Sequence, residues 1–431
     1  MKKLGFWEVF SIGVGGMVGG GIFAVLGLTV ELAKGAAPVA FMVGGIVALL
    51  TAYSYAKLGV VYQSEGGSIE YIVQAFGNGL FSSIVNNLLL MSYVIMMALY
   101  ATAFGNYGDM LFHHPFPWFK DGLIAGVVLT FMVINLEGSF LTGRSEMILV
   151  FTKVGILLLF VVLGFWGVDW ERLSLTHWES PVKIVTGGLI IFLAYEGFEL
   201  IANAARDVVN PTKNIPRALY SAVIFVTLLY ISIAIVAVGN VPFSVAEKAS
   251  EYLLAIAAKP FLGDVGMVII GIAALISTAS AINATIYGAG RDGYLIAKLG
   301  EIPPQFAKRV EHGYEGMIIL SLLAILFALT FNLEAISVAG SIGFLTIFSL
   351  VNLANYKLRD KTGANPFLAL LGFAVTTFSL IILIGYNLIH SPDKLSGSFV
   401  AIFAVALFTY IYRRRRGGPI SSKIDPRLEV D

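Results

Sequence analysis

About twelve apolar runs, each near the twenty residues a helix needs to cross roughly 30 Å of hydrocarbon, constrain this chain more than any other feature. They lie at 6–30, 38–60, 83–111, 121–141, 146–168, 183–205, 217–239, 265–290, 316–333, 334–356, 366–389 and 396–412. Of the 431 residues 58% are hydrophobic and 13% charged. Soluble domains carry about 25% charged residues, so the composition is that of an all-α integral membrane protein. The loops between runs are too short for a soluble domain, and the whole reads as one polytopic unit.

The formal net charge of +1 gives no basis for a nucleic-acid or acidic partner. Cysteine is absent, which removes disulfides, thiol catalysis and cysteine metal sites. The five histidines, 113, 114, 177, 312 and 390, fall in predicted loops, so no metal site and no cofactor are expected. Met1-Lys2-Lys3 opens on a run too long for a signal peptide, with no small-residue cleavage pattern, and is read as leading a retained first span. Placing both termini inside puts most of the 28 basic residues on the cytoplasmic face, among them Lys2, Lys3, Arg144, Lys213, Arg217, Lys308, Arg309, Lys357 and Arg413 to Arg416. The expected location is therefore the cell membrane, with cytoplasmic termini.

Two runs are interrupted. Residues 13–21 hold six glycines, at 13, 15, 16, 19, 20 and 21. Each weakens a helix by about 1 kcal/mol relative to alanine. Close helix packing through small residues explains Gly16 and Gly20; six glycines point further, to an unwound stretch whose backbone meets a small polar ligand. The sixth run carries Glu196-Gly197-Phe198-Glu199 at its middle. Carboxyls at that depth belong in a cavity or against a partner. The i, i+3 spacing would put both on one helix face, whereas a break at Gly197 would aim them apart. Interruptions in spans one and six are the pattern of two inverted five-helix repeats, here 1–168 and 169–357, followed by helices eleven and twelve at 358–412 and a basic tail at 413–431.

The residues resemble the amino acid–polyamine–organocation transporter superfamily, whose members have the leucine-transporter (LeuT-type) fold. Val18-Gly19-Gly20-Gly21-Ile22-Phe23 is similar to that family's broken first helix. Glu65-Gly66-Gly67-Ser68-Ile69-Glu70-Tyr71 with Ala75-Phe76-Gly77 is similar to its inner loop, and Gly197-Phe198-Glu199 with Asn210-Pro211 to Pro216-Arg217 to its sixth span and following loop. Ser280-Ala-Ile-Asn283-Ala-Thr285-Ile-Tyr287-Gly288 is close to the proton-coupled archaeal subgroup of amino-acid transporters. The resemblance implies that N–H groups around Gly19, Gly20 and Gly21 take a substrate carboxylate, while carbonyls near Gly15, Gly16, Met17 and Leu193 to Glu196, including Tyr195, hold its ammonium. A half-helix dipole favours the anion. Family members often have Ser or Thr where Gly20 stands, and a Glu where Arg206 stands, so a hydroxyl ligand and a gating carboxyl do not transfer. Glu199 is nearer the family's acidic position and is assigned to gating.

Lys153 is the lone lysine of span five, about two turns, or roughly 10 Å, from its inner end. Snorkelling to the interface is one reading. The resemblance implies another: an ammonium standing where sodium-coupled relatives hold their ion, bridging first-helix carbonyls and the hydroxyls of Ser277 or Ser280. Burial disfavours the charged form of an amine, so such a group can load and release a proton. Glu196 leaves three readings open: counter-charge to a cationic substrate, second proton site, or structural partner. Tyr93, Tyr100 and Phe198 could cap the site or simply pack. Arg291 and Asp292 could form an inner gate, or an exposed pair worth about 1 kcal/mol at most. Neither a nucleophile–base set nor a polar ring points to an enzyme or a channel. The leading reading is a proton-coupled, sodium-independent amino-acid transporter, working as monomer or homodimer. An exchanger of amino acids or polyamines and a non-transporting sensor are the alternatives.

Overall fold

The computed structural model describes residues 4–64, 66–138 and 143–416. Lys2, Lys3, Glu65, the side chain of Arg144 and the tail beyond residue 416 lie outside the described residues. The first apolar run is two helices, α1 (Phe6–Met17) and α2 (Gly21–Ala33), bent by 47°. Between them Val18 to Gly20 leave helical geometry, with Gly20 at φ −138° and ψ −13°. Then follow α3 (Ala37–Val61), the short α4 (Gly67–Phe76), α5 (Leu80–Phe112), α6 (Phe119–Leu136) and α7 (Gly143–Gly164).

The sixth run breaks in the same manner. α8 (Pro181–Ile190) passes through a 3-10 turn at Phe192–Tyr195 into α9 (Leu200–Asn203), with a bend of 48°. Beyond it run α10 (Pro211–Asn240), α11 (Phe243–Lys248) and α12 (Leu253–Lys298). The eighth run, expected to begin at 265, belongs to a longer element that turns a corner at Gly263, where φ is 65°. A two-residue β-hairpin, β1 (Arg309–Val310) with β2 (Gly313–Tyr314), leads into α13 (Glu315–Thr330) and α14 (Leu333–Lys357). The chain closes with α15 (Arg359–Thr362), α16 (Pro366–His390) and α17 (Pro392–Arg416).

Nine helices among the described residues are long and apolar enough to cross a membrane, and the bent pairs raise the number to eleven. α13, expected as a span at 316–333, has 16 residues and so is about 24 Å long, short of the full hydrocarbon thickness. α10 lies along α3, α12 along α5, and α14 between α5 and α16. α1 runs against α10, α7 and α9 at the centre, while α16 and α17 flank α3, α14 and α5. In lipid, apolar contact alone does little to draw helices together, so small residues and interhelical hydrogen bonds matter. Asn352 donates to Thr51 at 3.2 Å and Asn355 to Ser54 at 3.2 Å, tying α14 to α3. Asn135 donates to the side-chain oxygen of Asn283 at 2.7 Å, tying α6 to α12. The outward faces carry exposed Phe151, Val162, Val265, Leu326, Phe378 and Phe403, an apolar surface suited to lipid.

Candidate functional site

The two bends touch backbone to backbone. A Cβ on Gly16 would stand 2.8 Å from both the Cα and the carbonyl oxygen of Gly197, and one on Gly21 2.7 Å from the Cα of Ala194. Gly197 has φ +114°, a conformation that side chains rarely adopt, and this lets the chain turn there. Interrupting a helix frees carbonyls that need donors. The Tyr230 hydroxyl of α10 reaches the carbonyls of Met17 at 2.7 Å and Ala194 at 3.2 Å, bridging both breaks. Ser277 of α12 donates to the Val18 carbonyl at 2.9 Å and also contacts that of Gly19. In α14, Ser337 and Ser341 donate to the Ile190 carbonyl at 2.7 and 2.8 Å, and Ser341 accepts from the Leu193 N–H at 3.2 Å.

Beside this junction lies a cavity enclosing about 580 Å³ of empty space, its open mouth included. Gly15 and Gly16 line it from α1, Tyr93 and Tyr100 from α5, and Lys153 from α7. Glu196 enters at the second break, Ser280 and Asp292 from α12, and Leu200 and Asn203 from α9. Lys153 is buried, 4% exposed, on this wall. α7 begins at Gly143, which places Lys153 about 15 Å along the helix, deeper than the apolar run alone indicated.

Along residues 4–411 the sequence matches the amino acid permease family. The chain belongs to it. The permease is 38% identical over 416 residues to an uncharacterised protein of Methanocaldococcus jannaschii, covering 96% of each chain. It is 36% identical over 390 residues to the inner membrane transport protein YbaT of Escherichia coli, covering 89% of this chain and 90% of that one. With the branched-chain amino acid permease BcaP of Lactococcus lactis it shares 26% identity over 460 residues, 95% and 94% of the two chains. It is an amino-acid transporter of the multi-pass membrane class and not an enzyme.

Within the permease the other residues singled out from sequence sit around the cavity rather than on its wall. Met17, Gly19, Gly20 and Gly21 form the break itself, and a side chain on Gly20 would collide with the Tyr100 ring. Tyr195 turns its hydroxyl to the Phe41 carbonyl at 2.6 Å. Leu193 packs over Gly340, and Phe198 joins an aromatic cluster with Tyr55 and Phe348. Ser277 serves the first-break carbonyls, whereas Ser280 shares the cavity wall with Lys153.

One expectation is corrected. The break at Gly197 does not aim Glu196 and Glu199 apart: Glu199 folds back beside Glu196 and accepts from the Gly197 N–H at 2.8 Å. The positive φ of Gly197 folds the chain back over that short distance. Asp292 is 4% exposed and lines the cavity, while Arg291 stacks on Tyr287 with 5.5 Å to the ring centre. Asp292 is therefore not half of an exposed surface pair.

Sequence reasoning did not single out Tyr230, Ser337, Ser341 or Asn203. The i, i+4 serines inside the apolar tenth span were a usable signal, since they share one helix face. Tyr230, one of 18 tyrosines, gave none. As an arrangement, the site offers two broken helices in contact, with one amine, the carboxyls of Glu196 and Asp292, and two tyrosine rings on a common wall.

Proposed function

We propose that the permease imports amino acids by alternating access, driven by the proton gradient and independent of sodium, with Lys153 as the coupling group. The observation that carries this is the shared wall: Lys153, Gly15, Gly16 and Ser280 line one cavity, and α7 packs against both α1 and α12. A substrate zwitterion would be held by backbone, its ammonium near the Gly15 and Gly16 carbonyls and its carboxylate at the N–H groups around Gly19 to Gly21, where the α2 dipole favours an anion. Protonated, Lys153 would hold α1 against α12 through these carbonyls and the Ser280 hydroxyl. Neutral, it would release them, and the balance of two helix arrangements would follow both proton and substrate. A fixed ammonium would also repel sodium from the same place.

The halves 1–168 and 169–357 each open on a bent pair, which supports an inverted repeat, with cytoplasmic termini in the cell membrane. Glu199, behind the cavity, would gate by holding the Gly197 turn. The test is uptake of a labelled amino-acid panel into proteoliposomes under an imposed pH gradient without sodium. Wild type should accumulate substrate. Lys153→Ala should lose at least tenfold of gradient-driven accumulation while remaining folded by size exclusion. Full pH-driven uptake in Lys153→Ala, or a strict sodium requirement in wild type, would overturn the assignment.

A further inference from the structure

The arginine run that ends α17 is divided in its duties. Arg413 turns into the protein, donating to the Ser83 hydroxyl of α5 and to the Asn78 carbonyl at 3.3 Å. Arg414 and Arg415 are exposed. A charge that only stops the last span has no use for such docking. The corner that Arg413 grips, residues 76–81 between α4 and α5, also receives a cation from another helix. Lys357, the last residue of α14, holds its ammonium 4.4 Å from the centre of the Phe76 ring. α14 packs against both α4 and α17, so the two cationic ends meet on one corner.

That corner is apolar as well as basic. The Phe76 and Phe81 rings lie 5.1 Å apart, and Leu80 and Phe81 are exposed. Beside them a Cβ on Gly77 or Gly79 would meet nothing within 4 Å, which leaves the corner open. On α17, exposed Leu407 and Ile411 share a helix face with Arg414 and Arg415. Apolar surface therefore runs up to the charges, as in a contact with a membrane surface. Among the described residues, the acids at this end are engaged elsewhere. Glu301 is buried and accepts from Asn86 at 2.9 Å, Glu70 is buried and accepts from Gln74 at 2.7 Å, and Asp360 stands 4.0 Å from Arg359.

We propose that this corner binds the headgroup of an anionic membrane phospholipid. Its phosphate lies between Lys357 and the Arg414–Arg415 pair, and its apolar chains run along Leu80, Phe81 and Ile411. Charge complementarity selects the occupant: clustered basic residues where a span leaves the bilayer attract anionic headgroups. Arg413 holds the end of α17 against α5 and so sets the width of the site. None of these residues lines the substrate cavity, and the proposal is independent of how transport is driven.

The test titrates purified permease in detergent with phosphatidylglycerol and with phosphatidylcholine of identical chains. Native mass spectrometry counts the lipids retained, and parallel melts read stabilisation. Wild type should retain phosphatidylglycerol about tenfold better than phosphatidylcholine and melt higher with it. Arg414→Gln combined with Arg415→Gln should abolish the preference, and Lys357→Gln should weaken it several-fold. Lys213→Gln combined with Lys308→Gln removes two exposed cations from α10 and from the segment before β1, and should leave the preference intact. An equal loss in that control would make the effect one of bulk charge and overturn the site. Equal retention of the two lipids by wild type, or an unchanged preference in the arginine variant, overturns it too. Glycerol 3-phosphate stabilising as well as phosphatidylglycerol would mark a soluble-anion site, and polyglutamate doing so an acidic protein partner; either result ends the lipid reading. Should the arginine variant not fold, Lys357→Gln decides alone, and an unchanged preference there overturns the proposal.

Discussion

Gly16 and Gly197 set the distance between the two broken helices, because neither leaves room for a methyl group where the other's backbone passes. Gly16→Ala should push the breaks apart and cost about 1–3 kcal/mol, as overpacking does. Uptake should fall at least tenfold, measured beside a thermal melt; normal uptake would mean that the contact is incidental to transport. Tyr230→Phe tests the hydroxyl that reaches both Met17 and Ala194 carbonyls. Leaving buried carbonyls without a donor costs about 1–3 kcal/mol, so the variant should melt earlier and transport more slowly, while a melt within error of wild type would remove the bridging role. At this scale the glycines were legible as a group, since six of them in nine residues have no use in a plain anchor. Their separate duties were not. Gly16 makes room for backbone, Gly20 for the Tyr100 ring and Gly15 for Val150, and only the folded neighbours tell these apart.

The elements divide between those whose ends follow from local chemistry and those set by contacts. α8 opens on Ser180-Pro181, where the serine side chain accepts from the Lys183 N–H and the proline occupies the first turn. α17 is closed by a cluster instead. Arg413 donates to Ser83 and to the Asn78 carbonyl, while Asn87 donates to Thr409 and Asn86 donates to the buried Glu301 at 2.9 Å. Burial pushes the Glu301 carboxyl above its ordinary range, against the opposing pull of Asn86, Ser83 and Arg413. A carboxyl whose value rises on folding supports the fold fully below its unfolded value, near 4.5, and that support is lost as pH climbs through the raised folded value. Glu301→Gln should therefore flatten this part of the pH dependence. Above pH 5 it should raise the melting temperature relative to wild type by roughly 1–3 °C. Parallel melting curves for the two proteins from pH 4 to 8 would refute the assignment.

At the scale of the whole molecule, the cavity reaches from the two breaks along α9 and the Asp292 end of α12. This is the end whose flanking loops carry the basic residues expected inside. The chain contains no cysteine, so a single one reports cleanly. Gly288 lines the cavity, and a Cβ there meets nothing within 4 Å. Gly288→Cys should react with a membrane-impermeant maleimide from the cytoplasmic face and be slowed several-fold by substrate; labelling only from the opposite face would reverse the orientation. Sequence by itself determined that the chain crosses the membrane repeatedly as helices and that two of those helices break, because hydrocarbon forbids unpaired backbone and glycine and glutamate are costly inside a span. It could not determine that α13 is short, that α12 turns at Gly263, or that Glu199 folds back onto the Gly197 N–H. Nor did it show which hydroxyls cap the freed carbonyls. Those depend on which helices become neighbours, and helix neighbours in lipid are selected by surface fit and a few polar contacts between distant segments, which no local pattern records.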